Sequence, residues 1–455
     1  MRSSNNVHYE RYHDPSRVPL KLMNDEDVFK EELEKIFSRS WVFLGLADEI
    51  PNRGDFVVRK IGPDSFMVIR GEDDRIRGFF NSCRHMGTEL CEAERGNAKS
   101  FTCPYHGWTY DNRGRLIGVP VKEVAYRNLD MSRIALEEIR VETYENLIFG
   151  NMNKNAISLE EYLGEMRWYL DVFYKASGGV RLVGEPFRFV VDCDWKSPAA
   201  NFAEDRLHTM TSHKSVVELG YSSPLSRFGY VTPSAMVGRD VSVAELKDSR
   251  GKPVSAIGIR FPPDPNIPGY FGFYGEWYKG FRKPEGVSED QFKLFTEATM
   301  WVFTVFPNFS MFIAADQTDS PKSGRPNAPV SEIRLWNPLG PGVTEIWTWV
   351  VVPKLVPDEI AKRVYEITSS HFGPAGVAEM DDTTIWRKIA KSARGIYSRK
   401  VDQLIFAGNL GLSDLPTLDD WPGPGLVRGT QFHEEGVRTF WRRWLIEMGW
   451  EGRRE

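Results

Sequence analysis

Two short Cys–His pairs constrain this chain more than any other feature. Cys83-Arg-His85 and Cys103-Pro-Tyr-His106 stand 17 residues apart, a C-x-H-x17-C-x2-H spacing. Each half delivers one thiolate and one imidazole from a turn beside a strand. Two such loops facing each other hold a [2Fe–2S] cluster, with two cysteines on one iron and two histidines on the other. The same residue types can form a Cys2His2 zinc site, but a zinc finger favours Cys–Cys and His–His pairs along the chain. Iron–sulfur is therefore the preferred reading. Gly87 and Gly107 allow tight turns near the sulfurs, Pro104 fixes the second loop, and Trp108 can shield the cluster from water. Cys91, between the halves, and the remote Cys193 read as packing residues.

Around these pairs the hydrophobic period is that of strands. From Trp41 to about Asn153, short β-rich runs such as Asp55–Arg59, Ser65–Arg70, Ile76–Phe80 and Ser100–Thr102 alternate with turns at Pro51–Gly54, Gly71–Asp74 and Asp111–Gly114. This predicts a small antiparallel β domain over residues 38–155. It is inserted between an N-terminal segment, 1–37, and a larger domain, 156–455. A capped helix is expected over Val28–Ser38, and another over Ser158–Tyr174. Val180–Val191 reads as extended, and the aromatic and β-branched block from Tyr230 to Val352 as a larger antiparallel sheet. Pro357 starts a helix that runs to about His371, and a further helix begins between Glu379 and Asp382. The fold class is α+β.

Composition excludes several function classes. Four cysteines rule out a disulfide scaffold. A formal charge of −5 and a pI near 6.0 argue against a nucleic-acid surface. No apolar run approaches the roughly 20 residues that span a bilayer, and Met1–Asp14 lacks the apolar core of a signal peptide. The expected location is the cytoplasm.

A second metal-binding pattern lies in Asn201–His213, which holds two histidines, two adjacent carboxylates and an amide. Asp205 and His208, three apart, would share a helix face. His208 and His213, five apart, would point roughly 140° away from each other on a regular helix. For both to reach one metal, the helix must end, widen or bend near Thr209–Ser212. One carboxylate would complete a 2-His-1-carboxylate triad with open positions on Fe(II) for dioxygen. Spacing alone leaves Glu204, Asp205, Glu379, Asp381 and Asp382 as candidates, and the Asp381-Asp382 pair also suits helix N-capping.

Together, the two Cys–His loops, their β domain and the D-x2-H-x4-H of Asp205–His213 resemble the large (alpha) subunit of Rieske non-heme iron aromatic ring-hydroxylating dioxygenases, over essentially the whole chain. The resemblance implies a Rieske [2Fe–2S] cluster on Cys83, His85, Cys103 and His106. It implies a mononuclear Fe(II) on His208, His213 and Asp382, the second acid of the pair after Phe372-Gly-Pro-Ala-Gly376. It makes Asp205 a bridge between His208 and the His106 of a neighbouring subunit, hence an α3 ring or an α3β3 assembly with small (beta) subunits. Asn201 would stand near the open side of the iron. One departure is Leu207, where many relatives carry tyrosine.

The activity implied is O2-dependent cis-dihydroxylation of an aromatic hydrocarbon, with room for a polycyclic ring, using electrons from NAD(P)H through a separate ferredoxin and reductase. The chain itself carries no Gly-x-Gly-x2-Gly turn for a nicotinamide or flavin. Phe202, Met210, Phe306, Phe309, Phe372 and Ala378 are candidate pocket walls. The competing expectations are a Rieske monooxygenase or demethylase, and a dioxygenase acting on an aromatic carboxylate such as phthalate or salicylate.

Overall fold

Tight turns cut the segment after Trp41 into short strands. At Asp111–Gly114 the Asp111 carbonyl accepts from Gly114 N–H at 2.9 Å, and the Asp111 carboxylate accepts from the N–H groups of Arg113 and Arg115. Gly114 has φ +79°, and a Cβ there would stand 2.6 Å from the Phe79 ring, so this turn requires glycine. The structure is a computed structural model, which describes residues 14–203, 205, 207–208, 211–214, 234–235, 256–258, 269–298, 300–314, 328–398, 400, 404–408, 423–424, 426–427 and 434–450. Phe37–Leu159 forms one compact unit, and Met1–Ile36 with Glu160–Glu455 forms the other.

The smaller unit holds β1 (Val42–Leu46), β2 (Asp55–Ile61), β3 (Asp64–Arg70), β4 (Ile76–Phe80), β5 (Arg95–Asn97), β6 (Ser100–Thr102), β7 (Thr109–Asp111), β8 (Leu116–Gly118), β9 (Glu138–Tyr144) and β10 (Leu147–Asn151). Seven of these form one antiparallel sheet in the order β1-β10-β9-β4-β3-β2-β5, and β6-β7-β8 form a second. One apolar cluster, including Phe56, Met67, Ile69, Phe79, Phe101 and Leu116, surrounds the two Cys–His loops. The sequence pattern predicted this antiparallel β architecture.

In the larger unit, β11 (Val180–Val191), β12 (Met300–Val305), β13 (Phe309–Ala314), β14 (Val330–Gly340) and β15 (Val343–Pro353) form a sheet in the order β11-β15-β14-β13-β12. Every pair is antiparallel. β12 and β13 are buried along their whole length, and β14 and β15 nearly so. A sheet covered on both faces cannot show an in–out alternation, which explains the near-continuous apolar runs in the sequence. Five helices carry candidate site residues or the groups that hold them: α1 (Glu26–Glu32), α2 (Lys196–Phe202), α3 (Asp358–Phe372), α4 (Val377–Ala393) and α5 (Glu435–Glu447). The expected single helix over Ser158–Tyr174 is two, Leu159–Leu163 and Met166–Tyr174, separated where Gly164 takes φ +50°. Among the described residues no helix is long and apolar enough to cross a membrane.

A buried ion cluster fixes the start of α2. Lys196, with no exposed surface, lies 2.7 Å from both Glu32 Oε1 and Asp194 Oδ1. Glu32, at the end of α1, also accepts from the indole N–H groups of Trp195 at 2.9 Å and Trp444 at 2.7 Å. Residues far apart in the chain thus meet at one carboxylate. Burial pushes Glu32 above the ordinary carboxylate range, opposed by the Lys196 ammonium. Removing the cation leaves two carboxylates buried and uncompensated. Lys196→Met is therefore expected to destabilise this unit by about 3–5 kcal/mol, read from a urea unfolding curve with the wild type as reference.

Two candidate metal centres

The two Cys–His loops share one backbone design. Cys83 N–H donates to the Thr88 carbonyl at 2.8 Å, and Gly87 N–H donates back to the Cys83 carbonyl at 2.8 Å. In the second loop Cys103 N–H donates to Trp108, and Gly107 N–H to Cys103. Gly87 and Gly107 have φ +78° and +73°, which glycine adopts without strain. Each loop thereby turns its cysteine inward: Cys83 and Cys103 are 2% and 3% exposed. The rings of His85 and His106 meet edge to face with centroids 4.5 Å apart. Trp108 stacks on His85 at 4.8 Å, nearly parallel. His85 Nε2 lies 3.5 Å from the Tyr126 hydroxyl, while its buried Nδ1 has no hydrogen-bond partner among the described residues. An unpartnered buried ring nitrogen on a loop that also buries Cys83 fits a cluster iron. The Tyr110 hydroxyl lies 3.4 Å from Cys83 Sγ and accepts from Arg84 N–H at 3.1 Å. His106 is exposed, with the ring of the exposed Tyr105 against it.

The second centre is assembled from two segments. α2 ends at Phe202, before Asp205, so neither histidine stands on a regular helix. The helix ends earlier than the expected region near Thr209–Ser212; Glu204, Thr209 and Met210 lie outside the described residues. His208 Nε2 and His213 Nε2 are 3.2 Å apart, and Asp382 Oδ1 lies 3.7 and 3.1 Å from them. These three side chains can offer ligand atoms to one metal ion, all within 4.8 Å of one another. His208 Nδ1–H donates to the Asp205 carbonyl, which leaves the Nε2 lone pair free for a metal. The Asn201 amide donates to the Asp205 carboxylate at 3.3 Å and lies 3.2 Å from His208 Nδ1. His213 Nδ1 faces Asp381 at 3.5 Å. The downstream acid sits on α4, which begins at Val377 with Gly376 as its N-cap. Asp381 and Asp382 therefore lie past the first turn and do not cap the helix, and the helix starts before the expected Glu379–Asp382.

A Rieske [2Fe-2S] domain model matches residues 40–143, and the catalytic domain of ring-hydroxylating alpha subunits matches residues 159–449. The chain belongs to the Rieske ring-hydroxylating oxygenase large subunits. Its cofactors are a Rieske [2Fe–2S] cluster and a mononuclear iron. It is 34% identical to the alpha subunit of an N,N-dimethyl phenylurea N-demethylase from Sphingobium sp. (strain YBL2), covering 97% of this chain and 94% of that protein. It is 32% identical to the large oxygenase component of a naphthalene 1,2-dioxygenase system from Pseudomonas aeruginosa, over 92% and 89%. A crystal structure of naphthalene 1,2-dioxygenase from Rhodococcus sp. bound to indole superposes with a TM-score of 0.78 at 34% identity, over 95% and 94%.

Of the aromatic residues expected to line a pocket in this oxygenase subunit, the structure brings only some together. Phe202 and Phe372 both pack edge-on against Phe312, and Ala378 is buried in the first turn of α4. Phe306 instead packs on Trp195 and Phe440, and Phe309 on Phe303. A cavity of about 190 Å³ reaches Asn201, Asp205, His208 and Asp382, with Trp386 and Trp441 among its apolar walls. The sequence assigns no role to Glu332 or Arg334, and offers Glu379 only as one of five candidate carboxylate ligands. All three are fully buried, and Arg334 Nη2 stands 3.0 Å from Glu332 and 2.6 Å from Glu379. Charges two apart within an apolar strand, Glu332 and Arg334, were the available signal. Burial pushes Glu332 up to about 8, against the pull of the Arg334 guanidinium.

At His208, burial favours the neutral ring, but the neighbouring Asp205 and Asp382 overcome it and lift the pKa above the ordinary value. A metal at Nε2 must displace that proton. Below the raised pKa the ring is protonated and competes, so metal affinity falls with falling pH and levels off only above it. Titrating the metal-free site with Fe(II) or Co(II) from about pH 6 to about pH 8 is expected to show affinity rising with pH.

Proposed function

We propose that the chain is the terminal oxygenase that adds both atoms of dioxygen to an aromatic hydrocarbon ring, giving a cis-dihydrodiol. The observation that carries this reading is the convergence of His208 Nε2, His213 Nε2 and Asp382 Oδ1 at a cavity with Trp386 and Trp441 among its apolar walls. His208, His213 and Asp382 hold the mononuclear iron, and Cys83, His85, Cys103 and His106 hold the cluster. When bound, the iron supplies dioxygen activation and the cluster supplies single electrons. Phe202, Phe372 and Phe312 present ring faces and edges to a flat substrate, and the small Ala378 leaves room for a polycyclic one. Among the described residues, the cation over these rings is Arg334, which already faces two carboxylates. It is therefore a poor anchor for a phthalate or salicylate carboxylate, which supports a hydrocarbon substrate.

Asp205 connects the two centres between subunits. It holds His208 through backbone and side chain while its carboxylate stays about one-third exposed, and a ligating imidazole is normally oriented by such a partner. His106, exposed on the β unit, is the matching group on a second copy, which implies a head-to-tail α3 ring, with or without small beta subunits. The ring draws electrons in the cytoplasm from a ferredoxin and a reductase, since relatives are components of a dioxygenase system. A test comes directly from the arrangement. Asp205→Ala is expected to lower turnover by about 10- to 100-fold and His106→Ala, which removes a cluster ligand, to abolish it, yet co-assembled mixtures of the two regain activity. If mixing restores nothing, the inter-subunit bridge is wrong.

Asp382→Ala is expected to lose one iron per chain while the cluster absorption stays; retention of full iron and turnover would refute the ligand assignment. The second reading is N-demethylation, favoured by the 34%-identical demethylase subunit. Labelled dioxygen separates the outcomes. A dihydrodiol carries two labelled oxygens, a phenol carries one, and a demethylated nitrogen product carries none. Incubation with naphthalene, phenanthrene, phthalate, salicylate and an N,N-dimethyl phenylurea identifies the substrate class.

A further inference from the structure

Arg334 is a fully buried guanidinium that touches segments leading into the mononuclear centre from both sides. It projects from β14 on the same face as Glu332 and Trp336, two residues away on either side. Nη2 donates to Glu379 Oε2 at 2.6 Å and lies 3.4 Å from the Phe372 carbonyl. The guanidinium carbon stands 5.3 Å from the Phe372 ring centre and 5.7 Å from that of Phe202. Phe202 ends α2, just before Asp205 and His208. Phe372 ends α3. Glu379 lies in the first turn of α4, one helical turn before Asp382. A single side chain thus holds the end of the helix that leads to one ligand and the start of the helix that carries another.

The charge-assisted bond to Glu379 is the short one, and it acts on the turn from which Asp382 projects. A helix is stiff over one turn, because its backbone hydrogen bonds run between residues four apart. Fixing Glu379 therefore fixes where the Asp382 carboxylate points. We propose that Arg334 and Glu379 form a positioning pair that holds Asp382 in place for the mononuclear iron. The pair needs no contact with iron or substrate. This inference rests on the reading of His208, His213 and Asp382 as the iron site.

Pairs that orient a ligand typically change metal affinity by about 10- to 100-fold when cut. Glu379→Leu fills the space of the side chain and leaves Arg334 facing Glu332 alone, one charge against one. The holoenzyme variant is expected to keep the cluster absorption but to lose its mononuclear iron to an Fe(II) chelator about 10- to 100-fold faster. Glu379→Gln keeps an acceptor oxygen for Arg334 and is expected to restore the wild-type rate. Wild-type iron retention in Glu379→Leu would overturn the proposal, and so would equal loss in Glu379→Gln, since charge rather than position would then be at work. If Glu379→Leu yields no folded protein, Arg334→Lys cuts the same tie from the other end: faster iron loss supports the pair, and an unchanged rate overturns it. Asp382→Ala runs alongside. Should it keep its full iron, the ligand assignment itself has failed, a result distinct from any outcome at Glu379.

Discussion

The Glu32 carboxylate is the interaction on which the larger unit depends. It sits without solvent at the end of α1 and collects a lysine ammonium and two indole N–H groups from positions 195, 196 and 444. A buried charge of this kind tolerates few alternative packings, because any displacement leaves it unpaired in a low-dielectric interior. The consequence for chemistry is local. Lys196 opens α2, and α2 delivers Asn201 and then the loop of Asp205 and His208. The first half of the candidate iron site thus follows a helix whose start is fixed by a polar anchor, not by apolar packing alone.

The second half is held in a comparable way. α4 brings Asp382 to the histidines, and Arg334 of β14 holds the first turn of α4 through Glu379. Two buried ion clusters thus stand on the elements that lead to residues 208 and 382, whose ligand atoms lie with that of residue 213 within 4.8 Å of one another. Phe202 and Phe372 meet at Phe312, and both lie against the Arg334 guanidinium.

Much of this was legible in the sequence, and the reasons are specific. The paired Cys–His loops were readable because tight turns carry a glycine at a fixed place, and both loops have it four residues after the cysteine. The β architecture was readable because turns in the smaller unit are marked by Gly, Asn and Asp. Spacing alone did not single out Asp382 among five acids, since its partners lie about 170 residues earlier and only folding brings them close. The start of α4 was misplaced because Asp381 and Asp382 have the composition of a cap, whereas Gly376 takes that place. Aromatic composition alone does not say which rings meet: Phe202 and Phe372 share Phe312, while Phe306 packs on Trp195 and Phe440 and Phe309 on Phe303. Arg334 and Glu332 gave a weak signal, two opposite charges inside a strand, whose meaning depends on a helix packed over them.

The ends of the β unit have a wider consequence. Its first and last strands, β1 and β10, are hydrogen-bonded neighbours, with Leu46 opposite Leu147 and Val42 opposite Gly150. The chain therefore enters and leaves this unit side by side. An insert closed in this way is a cassette: it completes its own sheet and core, and it loads the surrounding sequence with no geometric demand beyond two adjacent attachment points. Electron supply and ring chemistry can then diversify at separate rates within one polypeptide.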